Sequence, residues 1–423
     1  MNDQATPNTE NESKFEQLKQ AILSNNVPQV VLLAISHALS LRSSDIHIEP
    51  LEDTVRIRFR VDGVLEEIVE YPPNMHPAVV SRIKIMSNLK IDEQRIPQDG
   101  RTNVTTKEGR EMDLRVSTFP TVNGEKIVMR IQDKSRKIPA LNDLGIYGNA
   151  AIFINHALKS PNGIILTSGP TGSGKTTTLY ACLNLLNKPE VNILTVEDPV
   201  EIQMDGLSQS QMHSDIGYTF ETGLRSALRQ DPDIMMVGEI RDKETMNVAI
   251  EASLTGHLVL STIHTNSAVE TLTRIVNMGI PPYLIASTVD TIIAQRLVRI
   301  IDESVRVVVE PDPEVKEAAL RAIKELPDSE RANYQGINWE APIFYGPDPN
   351  AKGSGYKGRT GLYEVLPFTN KLKNAILEGQ NTLQIEKLAR EEGMVTLEQA
   401  GVIKALLGQT SLDEVYRVAN KSI

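Results

Sequence analysis

Two stretches carry residue types suited to phosphate chemistry. The first is "GPTGSGKT", Gly169 to Thr176, which matches the eight-residue phosphate-binding pattern. Its glycines let successive backbone N–H groups point inward at phosphate oxygens, and a helix opening at its end adds positive potential. The expected cradle is Gly169, Pro170, Thr171, Gly172, Ser173, Gly174, Lys175, Thr176 and Thr177. In such a cradle Lys175 reaches the β- and γ-phosphates of ATP, and the Thr176 hydroxyl ligates Mg²⁺. The second stretch is "DPDIMMVGEIRD", an apolar run that ends in Gly238 and Glu239. The second acidic motif of a nucleotide hydrolase would place an aspartate before that glutamate. The residues alone leave three readings open: a strand with a part missing, a rearranged variant, or an ordinary buried strand.

Further titratable groups surround these two. A carboxylate at Glu239, at the end of a parallel strand, orients attacking water or holds Mg²⁺ through water. "TVEDPVE" ends another apolar run with Glu197, Asp198 and Glu201, a second acidic cluster placed to face the same loop. "TGHLVLSTIHTN" brackets a strand with His257 and His264. Each histidine is read either as structural or as a γ-phosphate contact, and the residues alone do not decide between them.

The elements that must position these groups follow from periodicity. Residues 14–42 carry helical spacing, after a polar arm at residues 1–13. "RIRFRVDGVLEEIVEY" alternates, with Ile57, Phe59 and Val61 on one side, Arg56, Arg58 and Arg60 on the other, and Asp62-Gly63 as a hairpin turn. "MHPAVVSRIKIMSNL" reads as a helix, and "MDLRVSTFP" with "EKIVMRIQD" as a strand pair. These make a small α+β domain over residues 14–135, followed by a linker at 136–148. Over residues 149–300 the runs "GIILTSG", "NILTVED", "DIMMVGE" and "HLVLSTIH" alternate with helices, which predicts a largely parallel α/β sheet. Residues 301–423 read as a charged helix, a Pro- and Gly-rich stretch and small helices.

Composition narrows the function classes. A net charge of -11 argues against a chain built to coat nucleic acid. One cysteine, Cys182, excludes a disulfide framework and any multi-thiolate zinc site within the chain. The N-terminus has no signal-peptide pattern, and no apolar run approaches the ~18–20 residues that span a bilayer. The expectation is a cytoplasmic protein that meets a membrane through a partner.

"GPTGSGKTTTLY", "TVEDPVE", "LRQDPDIMMVGEIRD" and "TGHLVLSTIHTN" stand in the order and spacing of the type II secretion and type IV pilus assembly ATPases. The resemblance extends to "SSDIHIEP", "RIPQDGR", "DLRVST", "GEKIVMRI", "IIAQRLVR" and "GYKGRTGLYEVL", covering roughly residues 40 to 370. It implies a RecA-like P-loop ATPase domain, a small PAS-like N-terminal α+β domain and a helical C-terminal region. It also implies a Mg-dependent homo-hexameric motor at the inner face of the cytoplasmic membrane, driving a platform protein, with nucleic acid disfavoured as a partner. Residue by residue, Lys175 and Thr176 would hold phosphate and Mg²⁺. Glu239 matches the family's glutamate after glycine, and Glu201 the water-activating glutamate of the acidic box. His257 and His264 match the histidine box. Arg115 and Arg130 match arginines that the small domain presents to nucleotide; without the resemblance both would be exposed arginines of a solvated sheet. The segments around the histidine box and after Arg299 resemble assembly and secretion motors more than retraction motors.

Two departures stand out. Assembly and secretion motors carry two Cys-x-x-Cys pairs that hold a zinc; the corresponding positions are Asp302, Val305, Asp348 and Ala351, so no Cys₄ zinc is expected. Packing around Trp339, Phe344 and Tyr345 is expected to hold that loop instead. The family's additional N-terminal domain is expected to be missing here. Two competing readings are a nucleic-acid motor, which seven phenylalanines and one tryptophan supply poorly with stacking groups, and a non-hydrolysing scaffold, against which Lys175, Glu201, Glu239 and His264 stand intact.

Overall fold

The computed structural model describes residues 7–105, 109, 111–133, 137–351 and 353–419. The chain divides into two compact units, Met1–Lys137 and Ile138–Ile423.

The first unit is a six-stranded antiparallel sheet with helices Pro7–Leu23, Val27–Ser40 and His76–Met86. Its strands are β1 Asp45–Pro50, β2 Val55–Val61, β3 Val64–Tyr71, β4 Gln98–Thr105, β5 Glu111–Thr121 and β6 Gly124–Asp133, in the order β3-β2-β1-β6-β5-β4. The alternation is realised: Ile57 and Phe59 are fully buried, while Arg56, Arg58 and Arg60 stay partly exposed. Asp62 and Gly63 both take positive φ, 46° and 88°, the backbone of a two-residue hairpin turn. Ile46, Ile48, Leu114 and Ile127 extend the apolar face, which meets Leu18, Ile35 and Ile83. Two strands escape the sequence pattern. β1 carries acid at alternate positions, and β4, "QDGRTNVT", has a single apolar residue. Pro7–Leu23 also begins inside the stretch expected to be a disordered arm, while residues 1–6 lie outside the described ones.

The second unit is built on a mixed sheet of β7 Gly163–Ser168, β8 Ile193–Glu197, β9 Ser208–Gln211, β10 Ile234–Val237, β11 Leu258–Ile263, β12 Val289–Ile301 and β15 Tyr356–Pro367. The order is β15-β12-β7-β11-β10-β8-β9, parallel throughout except for β15, which pairs antiparallel with β12. β7, β10 and β11 are buried at every position, as strands covered on both faces must be. One cluster, with Leu166, Met235, Val259 and Ile292, fills one side; Ile165, Met236, Leu260 and Ile293 fill the other. This confirms the α/β expectation. It also corrects the C-terminal boundary: β15 belongs to the sheet, so the region after residue 300 is not a separate helical piece. The Pro- and Gly-rich stretch before β15 hid the return to the core. The expected linker is likewise part of this unit from Ile138, with Ile146 buried.

Between β12 and β15, β13 Arg306–Val309 and β14 Phe344–Pro347 form a two-stranded ribbon. It brings together Asp302, Val305, Asp348 and Ala351, the four positions that the resemblance matches to zinc-binding cysteines. Val305 donates its N–H to Asp302 O at 3.0 Å, Ala351 to Asp348 O at 2.9 Å, and Asp348 to Val305 O at 2.7 Å. The Asp302 carboxylate accepts from Ser304, and that of Asp348 from Asn350, so each closes its own turn. These residues do not fit zinc; backbone hydrogen bonds join the two turns.

Candidate active site

The phosphate loop follows β7 and opens the helix Lys175–Leu186, the context the motif requires. Gly169 and Gly174 have φ of 148° and 87°. A Cβ at Gly169 would stand 2.6 Å from Gln295 O, and one at Gly174 2.7 Å from Gln295 Nε2. These glycines are therefore fixed by conformation and by the close passage of β12. Lys175 is buried, and its Nζ donates to Gly169 O at 2.9 Å and Pro170 O at 3.0 Å. Burial pushes its ammonium down to about 8, opposed by Glu239. Among the described residues, the buried hydroxyls of Ser168 and Ser173 meet no hydrogen-bond partner. Orphaned donors beside a glycine cradle fit phosphate oxygens. Thr176 is exposed in the first helical turn, where its hydroxyl would hold Mg²⁺.

Parallel pairing places the C-terminal ends of β7, β8, β10 and β11 along one edge, where α/β sheets bind ligands. Glu239 follows β10 there, with its side chain 12% exposed. Arg241 Nη2 lies 2.5 Å from its Oε1, and His264 Nε2 lies 3.4 Å from its Oε2. Oε2 is buried and faces the His264 imidazole. Burial and Lys175 lower the His264 pKa, opposed by Glu239. His264 is therefore neutral through most of the physiological range. Gly238 also finds its reason here. A Cβ would stand 3.3 Å from the Phe220 ring and 3.4 Å from Glu197 Cα, so any side chain here would press on Phe220.

Two sequence expectations, for His257 and Glu197, come out differently. His257 precedes β11 and His264 follows it, so the six-residue strand sets them roughly 20 Å apart. His257 Nδ1 instead sits 2.9 Å from Ala252 O, at the end of the helix Lys243–Leu254. It does not join the phosphate loop within this chain. Glu197 is 2% exposed and hydrogen-bonded to Tyr180 and Thr195, so it is an internal strut and not a second surface acid. Glu201, on the loop beyond, is exposed on the ligand edge. Arg115 and Arg130 lie in the first unit as direct cross-strand neighbours on β5 and β6. Arg130 Nε donates to Asp45 Oδ1 at 3.0 Å. Arg101 pairs with Arg115 on the other side, and Asp45 with Arg60, so one row across five strands holds four arginines and one aspartate.

Sequence reasoning missed Arg241, Gln295 and Arg296. Arg296 Nη2 donates to Asn266 O at 3.0 Å, tying β12 to the loop that follows His264. All three stand inside quoted motifs, and adjacency to those motifs was the available signal.

Comparison with known proteins shows the family. The family model "Type II/IV secretion system protein" matches residues 21–417. The chain belongs to this family. It is 45% identical over 408 residues to type II secretion system protein E of Xanthomonas campestris pv. campestris, covering 96% of this chain and 69% of that protein. It is 42% identical to the type IV pilus assembly ATPase PilB of Myxococcus xanthus, covering 96% of this chain and 70% of that protein. Among solved structures, the Legionella pneumophila ATPase DotB aligns with a TM-score of 0.66 at 22% identity, over 92% of this chain and 95% of its own. The pilus retraction motor PilT with bound ADP aligns at 0.58 and 24% identity, over 92% and 96%. At these identities the two structures speak for the fold. Among the described residues, no helix of this secretion-family chain is long and apolar enough to cross a membrane.

Proposed function

We propose that the chain is a Mg-dependent ATPase that works as a homo-hexameric motor. It powers type IV pilus assembly or type II secretion through an inner-membrane platform protein, from the cytoplasmic face. The observation that carries this reading is the gathering of Lys175, Glu239 and His264 beside the glycine cradle, in a chain of this family.

The residue roles combine this geometry with those the family resemblance implies. Loop amides and Lys175 bind the β- and γ-phosphates, Lys175 exchanging its two carbonyl partners for phosphate oxygens. Thr176 and Glu239 would hold Mg²⁺, which supplies neutralisation of phosphate charge. Glu201 orients the attacking water and takes its proton. Arg241 pairs with Glu239, and neutral His264 donates to the γ-phosphate. Arg115 and Arg130 of the PAS-like first unit stabilise charge on the transferred group.

The test is Mg-dependent ATP hydrolysis by the purified chain beside Glu239→Gln, with particle size from light scattering of the same samples. The reading expects slow turnover by a hexamer, lost by about 10²-fold or more in the variant while ADP still binds. A hexamer that binds ATP and never turns it over, with or without membranes, overturns it.

A further inference from the structure

We infer that Tyr180 is a positioning residue that holds the catalytic loop carrying Glu201 in register with the phosphate loop. The inference rests on the role proposed above for Glu201.

Tyr180 stands on the helix that begins at Lys175, so its place is fixed by the same helix that carries Lys175 and Thr176. Its side chain is 1% exposed. The hydroxyl donates to Glu197 Oε2 and accepts the backbone N–H groups of Glu201, at 3.3 Å, and Ile202, at 3.4 Å. One oxygen thus joins the helix, the end of β8 and the loop beyond it. The remaining bonds of the cluster brace the same loop. Thr195 Oγ1 donates to Glu197 Oε1 at 2.6 Å, and Gln209 Nε2 donates to that oxygen at 3.1 Å. Gln209 also donates to Ile202 O at 3.0 Å and accepts from Met204 N–H at 2.7 Å. The carboxylate fixes the direction of the tyrosine proton, which turns the hydroxyl's lone pairs toward the two amides. Burial and Glu197 push Tyr180 above the ordinary tyrosine range, so it remains a donor at any working pH.

The consequence is geometric. A shift of the phosphate-loop helix moves Tyr180, and Tyr180 carries the Glu201 amide with it. A misplacement of about 1 Å at a catalytic group costs up to about 10²-fold in rate. Removing one oxygen in Tyr180→Phe is expected to lower kcat by roughly 10- to 100-fold. Affinity for ADP should stay within about threefold, because the tyrosine ring and the phosphate loop are unchanged.

The experiment is a double-mutant cycle on the full chain: wild type, Tyr180→Phe, Glu201→Gln and the double variant. Each is measured for kcat, KM, ADP affinity and thermal midpoint. Thr195→Val, which removes a bond to Glu197 without touching the Glu201 amide, serves as the control. The inference expects Tyr180→Phe to lower kcat, Thr195→Val to lower it much less, and the tyrosine effect to vanish once Glu201 is Gln. Equal kcat losses in Tyr180→Phe and Thr195→Val, or a tyrosine effect that persists without Glu201, make the role merely structural and overturn it. If Glu201→Gln alone keeps full activity, the role of Glu201 fails and this inference with it. If Glu201→Gln is inactive and Tyr180→Phe is fully active, only this inference fails. Should Tyr180→Phe not fold, Glu197→Gln, which weakens the acceptor at constant size, goes through the same cycle with the same two outcomes.

Discussion

The two sheets place charge by opposite rules. In the first unit, the sheet covers one face with helices and offers the other as a field of Arg56, Arg58, Arg60, Lys126 and Arg130 around Asp45 and Glu49. In the second, both faces are covered and the strands are apolar along their length, so charge collects at the C-terminal edge. The first arrangement spreads function over side chains in mid-strand; the second confines it to strand ends. A polar substitution in mid-strand should therefore cost far more in the second sheet than in the first.

The largest expected effect tests this directly. Met235→Lys places an ammonium at a fully buried position in the middle of β10, beside Val259 and Leu194. No described carboxylate pairs with it there, and the cost exceeds about 5 kcal/mol, the scale of a domain's whole stability. The variant should lose its cooperative thermal transition. Val128→Thr, on the charged face between His47 and Ser117, should shift stability by less than about 1 kcal/mol. Similar losses in both would mean that the charged face of the first sheet is as closed as the interior of the second.

The second prediction asks whether the charged face does chemistry. Arg130 is 59% exposed in its side chain and held by Asp45. Arg130→Ala should lower kcat by about 10²-fold or more, with ADP affinity within about threefold and an unchanged thermal midpoint. Steady-state ATPase kinetics and differential scanning fluorimetry measure the three quantities. A kcat within twofold of wild type would return the arginine row to an ordinary solvated face.

Much of this contrast was legible in the sequence, in proportion to how local its physics is. The glycine cradle and the period-two alternation of β2 depend on neighbouring residues, and both could be read directly. β4 has almost no apolar alternation, because pairing with β5 and not burial makes it a strand. β15 follows a Pro- and Gly-rich excursion, so nothing local announces that it returns beside β12. The histidine pair looked symmetrical around its strand; only the length of β11 separates its members. Glu197 looked like part of an acidic cluster facing the phosphate loop and is buried, because its partners come from the helix Lys175–Leu186 and from β9. Such partners are set by tertiary placement, which a single sequence read in windows does not carry.

The smallest expected effect sharpens the comparison through two buried lysines. In the first unit Lys84 is fully buried, and its Nζ lies 2.7 Å from the Glu125 carboxylate and from Glu93 O. In the second, Lys404 is 4% exposed and meets only neutral oxygens, Gly145 O at 2.8 Å and Thr360 Oγ1 at 2.7 Å, with Tyr147 beside it. Burial alone pushes Lys404 from its ordinary 10.5 down to about 7. Below pH 7 the ammonium is charged in the folded and unfolded chain alike, and the fold carries the full cost of burying it. Between pH 7 and 10.5 the unfolded chain binds the proton and the folded chain releases it, so rising pH stabilises the fold through this group. The slope is at most about 1.4 kcal/mol per pH unit. Thermal midpoints of wild type and Lys404→Met, compared from pH 6 to 9, should show wild type gaining on the variant above pH 7. Lys84→Met should cost about 3–5 kcal/mol, from the stranded Glu125. A parallel course for wild type and Lys404→Met would mean that the ammonium is charged in the fold throughout, held by its two oxygens and the Tyr147 ring in place of a carboxylate.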